Sequence, residues 1–161
     1  MSVESRRGRA LELWQQGFDA QMHGQLDEAI RLYKDSLACC PTAEAHTFLG
    51  WAYSFLGRLE HAIEECKRAI AVDPDFGNPY NDIGSYLITL GRPDDAIPWL
   101  ERAIVAPRYE ARHYPHCNLS RVYRAKGMLQ KAIQELERAL ALAPDYGYAQ
   151  QQLTEIRAQL Q

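Results

Sequence analysis

The side chains capable of chemistry are few in this 161-residue chain, and their spacing limits what each can do. His113, His116 and Cys117 form the densest group of metal-capable residues. His113 and Cys117 share a helix face, but a closed zinc site needs two further ligands, and Cys39-Cys40 lies far up the chain. Solvated histidines and a groove cysteine are therefore expected, with no metal. All four cysteines (Cys39, Cys40, Cys66 and Cys117) are expected as thiols, because no secretory context accompanies them. Cys66 reads as inert core. The acidic pairs Asp27-Glu28, Glu64-Glu65 and Asp94-Asp95 supply the carboxylates that acid–base work would require. Each falls at or near a helix start, where water and the macrodipole account for it, and outward faces are expected for all three. No Gly-x-Ser-x-Gly elbow, phosphate loop or His-Glu-x-x-His occurs. No catalytic residue, cofactor or metal is assigned, and the chain is read as a non-enzyme.

Composition agrees with that reading. Hydrophobic residues make up 47% and charged residues 24%, ordinary for a folded protein. A formal net charge of −3 without a basic stripe gives no pull towards nucleic acid. No run approaches the roughly 20 apolar residues that cross a bilayer. The expectation is a soluble cytoplasmic protein that neither binds nucleic acid nor inserts into membranes.

The elements that position these residues are set by a cassette that recurs four times. It reads Gly24-Gln25-Leu26-Asp27-Glu28-Ala29-Ile30, Gly57-Arg58-Leu59-Glu60-His61-Ala62-Ile63, Gly91-Arg92-Pro93-Asp94-Asp95-Ala96-Ile97 and Gly127-Met128-Leu129-Gln130-Lys131-Ala132-Ile133. Its alanines are 33, 34 and 36 residues apart, a period that marks a solenoid. Each glycine ends one helix and the acidic or polar pair opens the next, so each unit is a helical hairpin. In unit one the second helix carries Ala29, Ile30, Tyr33 and Leu37 as an inward stripe at helical spacing. Glycine at one phase of three first helices (Gly17, Gly50, Gly84, with Ser120 in unit four) predicts close approach to Ala29, Ala62, Ala96 and Ala132. Mid-helix glycine costs roughly 1 kcal/mol against alanine. Pro98 is expected to kink or loosen its helix. The chain divides into a flexible segment 1–9 (frayed, or a first loose turn of helix), repeats 10–42, 43–76, 77–112 (with two extra residues) and 113–146, and a capping helix 147–161.

This pattern resembles the tetratricopeptide repeat family. Leu49-Gly50, Tyr53, Gly57, Ala62, Ala69 and Pro74 carry the resemblance in the best unit. Tyr80, Gly84, Ala96 and Ala103 follow, then Leu119, Tyr123, Ala132, Ala139 and Pro144. Unit one departs most, with Gln16 and Ala20 where large apolar residues are expected. The resemblance implies an all-α, right-handed α-solenoid whose concave face, lined by first helices, holds an extended peptide or a partner helix. The family's chaperone-tail clamp of lysines, asparagines and an arginine is absent from the first three units, so chaperone-tail binding is not expected.

The four units can be compared at equal phase along the first helices. The concave positions are Gln15, Phe18 and Met22; Phe48, Trp51 and Phe55; Asp82, Ser85 and Thr89; and Asn118, Arg121 and Ala125. Unit two alone places three large aromatics there, which leaves its helix apolar all round. The expectation is an apolar partner-binding groove of Trp14, Phe18, Met22, Phe48, Trp51 and Phe55. Asn81, Asp82, Ser85, Asn118, Arg121 and Arg124 extend it and hydrogen-bond a peptide backbone. Two alternatives stand beside this protein–protein interaction module: a self-associating oligomeric scaffold, and an accessory subunit of a larger enzyme complex. The bland reading of the aromatics is that they pack on one another, or on residues 1–9, as core.

Overall fold

The computed structural model covers residues 1–161 and contains nine α-helices and no sheet. They are α1 (Val3–Met22), α2 (Leu26–Cys39), α3 (Ala43–Phe55), α4 (Leu59–Val72), α5 (Asn78–Thr89), α6 (Pro93–Val105), α7 (His113–Ala125), α8 (Leu129–Leu142) and α9 (Gly147–Gln159). The first eight pair as hairpins, and each hairpin packs on the next through α2–α3, α4–α5 and α6–α7, with α9 closing on α8. Contacts between α1 and α3, α3 and α5, and α5 and α7 set the first helices side by side as one wall. Gly24, Gly57, Gly91 and Gly127 turn every hairpin with φ between 73° and 78°, the left-handed region where a side chain is strained.

Inside each hairpin the two helices meet at the small residues. A Cβ at Gly84 would lie 2.4 Å from Leu100 Cδ2, one at Gly17 2.6 Å from the Tyr33 ring, and one at Gly50 2.9 Å from the Ala62 carbonyl oxygen. Tyr33 also explains how unit one tolerates Gln16 and Ala20. Its fully buried ring fills the hairpin, and its hydroxyl donates to Gln21 Oε1 at 2.8 Å.

The helices bear on three expectations. Residues 1–9 are helical from Val3, because Ser2 caps the helix by accepting from the Ser5 amide at 3.1 Å. The first turns of α1 stand clear of the hairpin and are exposed. Pro98 does not interrupt α6. It lies on the exposed side of the helix, so the one backbone bond it forfeits, at the Asp94 carbonyl, is lost where the chain is open to solvent. Glu65 is not on an outward face.

Glu65 is 7% exposed, and its carboxylate meets the His46 ring nitrogen at 2.8 Å and is bridged by Arg68. The arrangement repeats in unit four. Glu135 is 6% exposed and meets His116 at 2.7 Å and Arg138 at 2.6 Å. His116 is thus paired across its hairpin rather than solvated. In unit three Tyr80 and Trp99 occupy the equivalent positions, and Arg102 lies over both rings, 4.7 and 5.2 Å from their centroids. Burial alone would raise the Glu65 pKa. The contacts to His46 and Arg68 outweigh it and hold the carboxyl below its ordinary value.

Removing one partner of a buried pair strands the other. Glu65→Ala should therefore cost about 3 kcal/mol in urea denaturation at pH 7, against less than about 0.5 kcal/mol for the exposed neighbour Glu64→Ala. Because the folded-state pKa of Glu65 is depressed, its contribution is present above the ordinary value of 4.5 and is lost as the pH falls through the folded value. The gap between the two variants should close in acid.

Candidate functional site

The wall of first helices carries a groove towards its amino-terminal end. Its centre is Phe48 on α3, whose ring contacts Trp14 at 5.3 Å, Phe18 at 5.6 Å, Tyr33 at 6.2 Å and Trp51 at 5.9 Å between centroids. Trp51 continues the row to Phe55 at 5.3 Å. Trp14 and Phe48 are partly buried against the unit-one core, whereas Phe55 is 63% exposed and Met22 62%. The row packs largely edge to face on itself, and Phe55 and Met22 still present open faces. Residues 1–9 do not fill the hollow. The Trp14 indole N–H is buried and has no acceptor among the protein's own groups.

Two adjoining cavities make up the groove. The first, about 430 Å³, is lined by Trp14, Phe48, Phe76, Arg108, Tyr109 and Glu110, among others. The second, about 330 Å³, is lined by Phe18, Phe48, Trp51, Asp82, Tyr109 and Tyr114, among others. Tyr109 belongs to a segment for which the sequence reading had no role, the irregular stretch after α6. Residues 75–77 bind it as a short parallel bridge: the Gly77 amide donates to the Arg108 carbonyl, and the Arg108 amide to the Asp75 carbonyl, each at 3.0 Å. Arg108 then fastens the segment by ion pairs to Asp73 at 2.7 Å and Glu44 at 3.0 Å, with its guanidinium 4.1 Å from the Phe76 centroid. Gly77 permits this approach, since a Cβ there would lie 2.4 Å from that of Tyr109. The two-residue insertion was the only signal in the sequence.

The polar residues expected to extend the groove fall into three groups. Asn118 donates to Asn81 at 2.9 Å, and Arg121 donates to Asn118 at 2.9 Å and to Ser85 at 3.3 Å, so these four tie α5 to α7. Asn81, Asn118 and Arg121 line a smaller hollow with Tyr146 and Tyr148. Arg124 is elsewhere: it donates to Gln152 on α9 at 2.7 Å and faces Glu155, so it anchors the capping helix. Asp82 stands alone in the groove wall, half-buried, with no cationic partner. Burial raises its carboxyl to about 7, and the Asn81 amide offsets only part of the rise. The ionisable neighbours Cys66 on α4, Tyr86 on α5 and Tyr109 are all held protonated by burial, so none supplies a countercharge.

The remaining chemistry-capable side chains are committed to packing. His113 packs against Tyr114, tilted at 4.1 Å between centroids, and edge-on against Tyr146 at 4.9 Å, and burial lowers its pKa. Cys117 is buried, and its thiol is pushed up to about 11, away from thiolate chemistry. No three His, Cys, Asp or Glu side chains gather as a metal site would require. No helix is long and apolar enough to cross a membrane.

Stacked hairpins with a shared inner wall define a helical-repeat protein of the kind that mediates protein–protein interaction. Models of the tetratricopeptide repeat match residues 43–76, 78–104 and 113–146, and the chain belongs to that family. It is 29% identical over 86 residues to the inactive TPR repeat-containing thioredoxin TTL3 of Arabidopsis thaliana, covering 53% of this chain. It is 27% identical over 144 residues to mouse (Mus musculus) sperm-associated antigen 1, covering 89% of this chain. It spans only 12% of the length of each of those proteins. The fold superposes on the structure of Pseudomonas aeruginosa pilF with a TM-score of 0.89 at 21% identity, covering 96% of this chain and 70% of that one.

An unpaired acid in the wall sets a stability signature. The folded-state pKa of Asp82 lies above its ordinary 3.8, so the folded protein binds more protons between that value and about 7. Stability from this group therefore falls as the pH rises through that window. Asp82→Asn should raise Tm by about 4 °C or more at pH 8, the gain shrinking steadily towards pH 4 in a series of thermal melts. A separate variant, Gly77→Ala, should cost about 2 kcal/mol by overpacking against Tyr109 and speed amide exchange over residues 106–112.

Proposed function

We propose that the chain is a non-catalytic docking module that holds a segment of a partner protein in the groove between α1, α3, α5 and residues 106–112. The observation that carries this reading is the aromatic row of unit two. Trp51 lines the second cavity and Phe55 lies open, on a helix whose opposite face is already committed to the hairpin. A helix that needs water on its outer side gains nothing from two such rings there, whereas an interface gains area at small entropic cost. Family membership supports the same class of role. The hairpin seam and the capping helix then serve to hold the wall rigid, so that little ordering is left for the moment of binding.

Random dodecapeptides displayed on phage and panned against the immobilised protein test this directly. The wild type should enrich families of related sequences. In Trp51→Ala/Phe55→Ala the recovered peptides should bind at least about 30-fold more weakly, with far-UV circular dichroism unchanged. Peptides that bind both proteins equally would remove the groove from the reading. Light scattering of the unliganded protein should give the monomer mass, and a dimer that dissociates on Trp51→Ala would assign the groove to a second copy instead.

A further inference from the structure

The groove is greasy in its lining but not neutral in charge, and this narrows its occupant further than area can. Across its two cavities the charged side chains are Glu44, Asp82 and Glu110 against Arg108, three carboxylates to one guanidinium. Arg108 is spent, paired to Glu44 and Asp73. The neighbouring guanidinium groups are equally committed. Arg112 donates to the carbonyls of Ile104 at 2.9 Å and Ala106 at 2.8 Å, and Arg121 is held by Asn118 and Ser85. Two carboxyl groups are thus left without a cationic partner, Glu110 exposed near the mouth and Asp82 in the wall.

The position of Asp82 is informative by internal comparison. The same phase in the other three first helices holds Gln15, Phe48 and Asn118, none of them charged. A neutral side chain therefore satisfies the repeat geometry there, and the carboxylate is a feature of the groove and not of the fold. Around it the second cavity sets the rings of Phe18, Phe48, Trp51, Tyr109 and Tyr114. A carboxylate without its cation, within a ring of aromatic faces, presents two attractions to one kind of ligand. The ring quadrupoles draw a positive charge, and the carboxylate forms a charge-assisted bond that partial burial strengthens. A neutral side chain uses only the rings and leaves the acid unpaired, and an anion is repelled by both.

Resting on the groove reading above, we propose that the second cavity is a receptor for the lysine or arginine side chain of a docked partner segment, with Asp82 as counter-ion. The rings of Phe18, Trp51 and Tyr109 flank the alkyl stem, and the exposed end of the aromatic row at Phe55 takes an apolar residue of the same segment. The partner is thus a basic, apolar stretch of protein chain. The raised pKa of the unliganded carboxyl agrees with this role, because pairing with a cation would return it to the ordinary range and release a proton at neutral pH.

The test uses the dodecapeptide library at pH 7.5 against wild type, Asp82→Asn and Trp51→Ala/Phe55→Ala, followed by titration calorimetry with one recovered peptide. The wild type should enrich sequences with a lysine or arginine beside an aromatic or aliphatic residue. Asp82→Asn should keep the apolar preference and lose the basic one. Replacing the basic residue of the peptide by norleucine should weaken binding to the wild type by about tenfold or more, and to Asp82→Asn by less than about threefold. Affinity for the lysine peptide should rise from pH 6 to pH 8 in the wild type and stay flat in the variant. Enriched sequences without a basic preference, or equal losses in both proteins, overturn the receptor and leave the groove standing. Failure of the wild type to enrich any sequence, or enrichment indifferent to Trp51 and Phe55, overturns both.

Discussion

The structure depends on how closely two helices can approach at one point in each hairpin. Gly17, Gly50 and Gly84 face Tyr33, Ala62 and Leu100 at separations that leave no room for a methyl group, with Ser120 fully packed in the fourth unit. That contact fixes the hairpin angle. The hairpin angle fixes how successive units nest through α2–α3, α4–α5 and α6–α7. The nesting puts α1, α3, α5 and α7 beside one another, with their outward side chains converging on one hollow. A wider seam would spread those helices and uncouple Trp14, Phe18, Phe48 and Trp51, which belong to two units but form one aromatic row.

The seam was legible in the sequence because it recurs. A glycine at one phase of three first helices and an alanine at one phase of four second helices are local signals repeated, and so are the four turn glycines with their left-handed backbone. The aromatic row was legible by the same comparison, as the departure of unit two from the pattern. Features made by contact between distant segments were not. Glu65 follows another glutamate near a helix start and reads as solvated, yet its partner His46 sits nineteen residues earlier, across the hairpin. The signal that would have exposed it is the recurrence of the trio His46, Glu65, Arg68 as His116, Glu135, Arg138. Such a match is visible only when the second and fourth units are laid over each other and the third is skipped. The insertion after α6 showed as extra length, but where that length goes depends on Asp73, Glu44 and Gly77, none of them near it in sequence.

The polar slot inside the hairpins shows why the repeats are alike in backbone and not in chemistry. His–Glu–Arg in units two and four and Tyr–Trp–Arg in unit three fill the same space, the arginine meeting a carboxylate in one case and ring faces in the other. Either solution satisfies the guanidinium, so the hairpin tolerates both. Asp82 differs in kind, because nothing in its own unit, or in the helices beside it, answers its charge. Groups inside the slot are closed accounts, while the acid in the groove wall is open.

This contrast divides the inner wall by physical role. Its carboxyl-terminal half is bound to itself: Asn81, Asn118, Arg121 and Ser85 consume one another's hydrogen bonds, and Arg124 is turned to α9. A ligand approaching there would have to replace bonds already made, and a bond replaced by a similar bond returns little net free energy. At the amino-terminal half, Phe55 and Met22 are exposed to water, the Trp14 N–H lacks an acceptor, and Asp82 lacks a cation. Phe55, Met22 and Asp82 improve on contact, and none of the three must first be released from a neighbour. Unsatisfied groups are therefore concentrated where units one to three meet. The fourth unit and α9 act as the rigid remainder of the wall, which keeps α5 and the segment 106–112 in place opposite the aromatic row.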